Sequence, residues 1–285
     1  MTHILQNTLT RTRLSTFRAS LMLYVALAGA SAMAQLVGID LRMQYPSYVT
    51  GEPIVAHLKL ENHGVQPLVV SDHEAFKDNR VFFEIRRSGD QPLPLMRDSK
   101  ILADIDLEYG EAMEVKLDLG EWYALLTPDR YYVTAVLVHN NRRYDSEKRV
   151  FDVVPGIELA RLTQIIRGRS PIERTFTLVY WARGARQDVF LKIVDQPGDE
   201  IWSTMGLGSI VRIKKPELKL EDETTITVYH QASRDVLLTS LIRSTAEGPV
   251  LVGQQTTVDA VSSPMINTLG DVLEKSKRRT PKRKR

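Results

Sequence analysis

Asp72-His73-Glu74, with His63 shortly before it, is the densest knot of metal-ligating side chains in this sequence. A metal site needs three or four ligands that converge, and acids in a loop are ordinarily just solvated. Asp104, Asp106 and Glu108 alternate with Ile105, Leu107 and Tyr109, like the opening of a calcium loop. Gly110 comes one place late for that loop, and Val115 stands where its last carboxylate belongs. The period of two reads better as the wet face of a strand. His230, beside Tyr229 and near Asp235, could form an acid–base pair, but no nucleophile accompanies it. A site there requires His230, Asp235, Trp181 and Trp202 around one cleft. No G-x-S-x-G, H-E-x-x-H or phosphate-binding glycine loop occurs, and Gly206-Leu207-Gly208 is too short to count. The chain has no cysteine, which excludes disulfides, thiolate metal sites and a thiol nucleophile. No catalytic residue, metal or cofactor is therefore expected.

The charge pattern is more specific than the formal total of +3. Lys275, Lys277, Arg278, Arg279, Lys282, Arg283, Lys284 and Arg285 crowd the last eleven residues, which hold no acid. Residues 1–34 carry Arg11, Arg13 and Arg18 and no acid. The 27 basic residues between these ends face 35 acidic ones, a formal −8. An acidic body with a basic tail is not a uniformly cationic nucleic-acid binder, and no specific nucleic acid is expected. The tail looks like a nuclear-localisation or nucleic-acid segment, which would need the leader to be something other than an export signal. On an exported protein it would meet lipid headgroups, lipopolysaccharide phosphates or acidic polymers. Near an anionic surface each basic residue is worth about 1 kcal/mol. A solubilising tail, or one folded back on the acidic body, is the plainer reading.

The leader fits export. A polar, basic stretch precedes an apolar run from Ala19 to Ala30, and Ala32-Met33-Ala34 closes it. This is the three-part pattern of a secretory signal cleaved before Gln35. The run is short for a membrane span of about 20 residues. The protein is expected to be exported, to the periplasm or beyond.

Behind the leader, strands must position everything else. Val37, Ile39, Leu41 and Met43 alternate with polar or small residues. Ile54–Leu60, Pro67–Val70, Val81–Ile85, Met113–Leu119, Tyr131–Val138 and Lys148–Val154 follow, separated by turn residues. The polar turn Asn140-Asn141-Arg142-Arg143 should join the last two. Seven or more short strands in this span argue for a two-sheet sandwich over 35–155. Tyr131, just after Leu126-Thr127-Pro128, stands where a tyrosine corner would be, its hydroxyl bonded to nearby backbone; an ordinary strand tyrosine is the alternative. Tyr48-Val49-Thr50-Gly51-Glu52-Pro53, Leu58-Lys59-Leu60-Glu61-Asn62, Tyr109-Gly110-Glu111, Leu117-Asp118-Leu119 and Pro128-Asp129-Arg130-Tyr131 together resemble exported bacterial immunoglobulin-like domains, over 36–154 only. Asp129 departs from the glycine usual there. The resemblance implies a sandwich and transfers no catalytic residue.

Val153-Val154-Pro155-Gly156 marks a boundary, and a second β domain is expected over 156–262. Tyr180-Trp181 before Asp188-Val189-Phe190-Leu191 is echoed by Tyr229-His230 before Asp235-Val236-Leu237-Leu238. Such an offset fits a four-stranded sheet used twice: an open sheet, a small sandwich or propeller-like blades. Residues 263–285 read as a short helix, Pro264 to Leu273, then a disordered basic tail. The expected class is all-β. The expected role is a non-catalytic binding or structural protein of the cell envelope, its partner an unidentified protein or envelope polymer. The alternative is a hydrolase or carbohydrate-active accessory protein with a site in the second domain.

Overall fold

The computed structural model describes residues 36–258, except 98–100, 103, 168–170 and 197–199. The leader, the proposed helix at 264–273 and the basic residues Lys275 to Arg285 lie outside the described residues. The described chain is all-β, with two single 3-10 turns at Glu74–Phe76 and Leu119–Glu121. Among the described residues no helix is long and apolar enough to cross a membrane.

Among the described residues, ten strands precede Pro155: β1 (Val37–Met43), β2 (Ser47–Val49), β3 (Val55–Asn62), β4 (Leu68–Val70), β5 (Arg80–Arg87), β6 (Ile105–Leu107), β7 (Ala112–Asp118), β8 (Asp129–His139), β9 (Arg142–Asp145) and β10 (Arg149–Val154). β1, β3 and β7 form one sheet; β2, β10, β8 and β5 form another, with β9 also on β8; β4 and β6 pair apart. Alternation drives the burial. Ala56, Leu58 and Leu60 of β3 point inward, as do Val81, Phe83 and Ile85 of β5 and Tyr131, Val133, Ala135 and Leu137 of β8, all into one core. Asn140 and Asn141 both take positive φ, the conformation of a tight two-residue hairpin turn. They do not lead straight to the strand at 148–154, as the sequence reading expected. They return the chain along β8 as β9, and β10 then continues along the same edge of β8.

Eight described strands follow: β11 (Ile157–Ile166), β12 (Ile172–Arg183), β13 (Arg186–Gln196), β14 (Glu200–Ser209), β15 (Glu217–Leu220), β16 (Thr225–Ser233), β17 (Val236–Thr245) and β18 (Gly248–Val258). They make two antiparallel four-stranded sheets, each in plain chain order. The repeated sequence pattern falls on the central hairpins β12–β13 and β16–β17. Phe176, Leu178, Leu191 and Ile193 of the first sheet share a core with Ile226, Val228 and Ile242 of the second. Of the three arrangements left open by the sequence, this is the small sandwich: each sheet buries one face against the other.

Candidate functional site

The most elaborate side-chain constellation lies where the two halves meet. It is built on the Thr50-Gly51-Glu52-Pro53 turn. Thr50 is tied back to the end of β10, its amide and hydroxyl both donating to the Val154 carbonyl at 2.8 and 3.1 Å. Gly51 has φ +82°, and a Cβ there would lie 2.6 Å from Thr204 Oγ1 and 2.8 Å from Ile201 Cγ2. The turn therefore needs glycine twice over, for its backbone and for the approach of β14. Thr204 Oγ1 donates to the Thr50 carbonyl at 2.7 Å.

Glu52 turns inward beneath this contact. Its carboxylate accepts from the Val49 amide at 2.9 Å and from Arg183, at the end of β12. The Arg183 guanidinium also donates to the Ser47 carbonyl at 3.0 Å and stands 4.0 Å from Asp188. It lies over the rings of Tyr45 at 4.2 Å, Phe190 at 5.0 Å and Tyr48 at 5.9 Å. Asp188 is held in turn by Arg186 at 2.7 Å. Trp181 donates its indole N–H to Ser47 Oγ at 2.8 Å and packs with Val49, Val179 and Phe190. Burial pushes the Glu52 carboxyl above its usual range, with Asp188 adding to the effect and Val49 and Arg183 opposing it. Burial likewise raises the Tyr48 phenol to about 12.

A second network crosses the C-terminal sandwich. Arg174 is fully buried and grips Asp195 with two hydrogen bonds of 2.7 and 2.8 Å. It also donates to Ser244 Oγ at 3.0 Å and the Thr245 carbonyl at 2.8 Å. Ser244 donates to Gln164 at 2.6 Å, and Gln164 to the Glu223 carbonyl at 2.6 Å. Trp202 stacks on the guanidinium at 5.4 Å. One arginine thus ties strands of both sheets together. Neither network resembles a proton-transfer site. Each carboxylate in the two networks is matched to an arginine, and Asp188, Arg174 and Arg183 are shielded from solvent.

The residues singled out in the sequence fall elsewhere. Tyr131 is fully buried, and its hydroxyl donates to the Thr127 carbonyl at 2.7 Å, which is corner geometry; its ring stacks on Phe151 at 5.4 Å. Asp72, His73 and Glu74 are exposed. His73 caps the first 3-10 turn by accepting from the Ala75 amide, while His63 sits 3.5 Å from Glu61. No group of three or more potential ligands converges among the described residues. Ile105 and Leu107 are buried, with Asp104, Asp106 and Glu108 exposed between and beside them. His230 is buried, and neither ring nitrogen has a hydrogen-bond partner; Asp235 Oδ1 is also unpaired. Burial lowers the His230 pKa, the nearby Ser209 backbone acting the other way. Trp181 serves the joint and Trp202 covers Arg174, and neither lines the pocket beside His230.

Both networks escaped the sequence reading, yet a signal was present. Arg174 shares the parity of Phe176 and Leu178 on β12, and Asp195 that of Leu191 and Ile193 on β13. Charges in register with an apolar face mark an internal pair.

Neither a scan of family models nor a search of curated proteins finds a match to this chain. Among solved structures, the sporulation control protein Spo0M from Bacillus subtilis aligns over 85% of this chain and 97% of its own, with 11% identity and a TM-score of 0.28. A likeness that low carries no argument about fold or function.

Proposed function

We propose that this chain is a non-catalytic, exported binding or structural protein of the bacterial cell envelope, with an immunoglobulin-like N-terminal half and a basic tail that holds it at anionic surfaces. The observation that carries the reading is how buried charge is used. Arg174 and Arg183 each bind a carboxylate that joins strands or halves, so the buried ionic groups maintain shape. Supporting the immunoglobulin-like description are two sheets around one core and the Tyr131–Thr127 corner. The hydrolase reading asks for His230, Asp235, Trp181 and Trp202 around one cleft, whereas Trp181 bonds to Ser47 and Trp202 lies over Arg174.

The test is recovery of the protein from its host. An N-terminus near Gln35 in the periplasmic or extracellular fraction, with release from envelope material by salt, is the expected result. An intact Met1 on a protein found in the cytoplasmic fraction would overturn the reading.

A further inference from the structure

We infer that the outer edge of β18 pairs with β18 of a second copy, so that two C-terminal sheets join into one continuous eight-stranded sheet. Among the described residues, β18 pairs on one side only, with β17. It is eleven residues long and contains no charged residue. Every other outermost strand longer than four residues carries at least one, including Asp40 and Arg42 on β1, Glu114 and Lys116 on β7, and Glu158 and Arg161 on β11. Charges on an edge are the usual protection against strand addition, and β18 lacks it.

The same feature selects the occupant. Across a two-fold axis a strand meets itself, and any charged residue near the axis comes close to its own like charge. A charge-free strand escapes that repulsion, whereas to a charged foreign strand it offers no ion pair. The edge is also held ready. Gln254, itself exposed, donates to the Leu207 carbonyl at 3.1 Å and to Ser240 Oγ at 3.0 Å, anchoring β18 to β14. An extra residue at Val252 interrupts the ladder with β17, so the regular pairing segment is Gly253–Val258. Side chains opposite one another must share a face, which places the axis on a residue. Centred on Gln255, the pairing sets Gln254 against Thr256 and Gly253 against Thr257, amide or glycine against hydroxyl throughout.

The absence of cysteine makes this register directly testable. At the axis the two copies of residue 255 have Cα atoms about 4.5–5.5 Å apart, within disulfide reach. The two copies of Val250 are about 34 Å apart, ten residue steps of about 3.4 Å. The experiment uses the protein as its host makes it, with Gln255→Cys, Val250→Cys and Gln255→Lys variants. We expect a concentration-dependent dimer in sedimentation velocity and rapid covalent dimer from Gln255→Cys under mild oxidation, with none from Val250→Cys. Gln255→Lys should weaken the dimer at least tenfold, with an unchanged melting temperature at concentrations where both proteins are monomeric. A monomer at all concentrations, including one whose edge is covered by its own residues after 258, overturns the proposal. So does equal cross-linking at both positions, or cross-linking at Val250 alone.

Discussion

Among the described residues, the N-terminal half buries 24 apolar residues in one core and the C-terminal half ten, although the two are similar in length. The polar parts differ to match. In the first half the buried polar side chains reach mostly to backbone: Tyr123 to Phe83, Tyr131 to Thr127, Tyr48 to Val55, Asn62 to Leu107 and Asn79 to Val69. Each is a local stitch on a core that apolar burial already sustains. In the second half a single ionic network, Arg174 with Asp195, Ser244 and Gln164, passes between the sheets. The difference teaches that a small sandwich can use polar groups for cohesion only when the network is complete, because any group left unpaired carries its full desolvation cost.

The sharpest break of that contrast is Arg174→Ala. It strands Asp195 as a largely buried charge and leaves Ser244 and the Thr245 carbonyl short of a donor. Removing one partner of a buried pair costs about 3–5 kcal/mol, a large share of a typical domain's stability. Arg174→Met combined with Asp195→Leu should cost much less, since an apolar pair of similar volume leaves no orphaned charge. Denaturant unfolding of both variants tests this; equal losses would mean that the network is not what holds the sheets.

The joint between the halves should respond less, because Arg183 keeps the Ser47 carbonyl and Asp188 when Glu52 is altered. Glu52→Gln is expected to cost about 1–3 kcal/mol, the range for a buried donor left short of its partner. Its pH signature is more specific. The folded carboxyl lies above its ordinary value of 4.5, so between the two values the native state binds more protons than the unfolded chain. The resulting stabilisation is fully present below about the ordinary value and fades as pH rises through the folded one. Glutamine does not titrate. The stability of the parent relative to the variant should therefore decline from acid toward neutral pH; a flat difference would show Glu52 to be more solvated than its surroundings indicate.

The two regions also differed in how far their sequences could be read. Period-two alternation located β1 and β7, where apolar residues alternate with polar or small ones. The Pro128–Tyr131 pattern pointed to a corner whose partner, Thr127, is four residues away. The joint was hidden for the opposite reason. Thr50-Gly51-Glu52-Pro53 is legible as a turn, but its partners Arg183 and Thr204 lie 131 and 154 positions from Glu52 and Thr50, and nothing local encodes such a pairing. The strand β9 was missed because Arg142 and Arg143 look like turn residues; their side chains in fact face solvent along a short edge, where Arg143 pairs with Glu84 and Asp145.

A smaller effect is expected at the tyrosine stitch. Tyr131→Phe removes one hydrogen bond while keeping the buried ring and its stacking on Phe151, so the loss should be about 1 kcal/mol. Tyr132 faces the opposite side of β8 and is only partly buried, with Lys148 over its ring at 6.0 Å. Tyr132→Phe should be close to neutral. Equal effects at the two positions in denaturant unfolding would count against the corner as a stabilising element.

The last prediction puts the whole body against the tail, and its expected effect on stability is nil. Residues 275–285 are eight basic residues with Ser276, Thr280 and Pro281, so they offer almost no apolar area to bury. Truncation after Glu274 should leave the melting temperature unchanged. Surface binding should change completely. The body that remains is acidic and should be repelled by anionic vesicles, while the intact protein should bind them through the tail. That attraction is screened, with a Debye length of about 8 Å at 0.15 M salt, so co-sedimentation with the vesicles should fall steeply from low to high salt. Equal binding by the intact and truncated proteins would remove the tether role. A large drop in melting temperature on truncation would mean that the basic segment docks on its own acidic body, and the tail would then belong with Arg174 and Arg183 among the charges that hold the fold together.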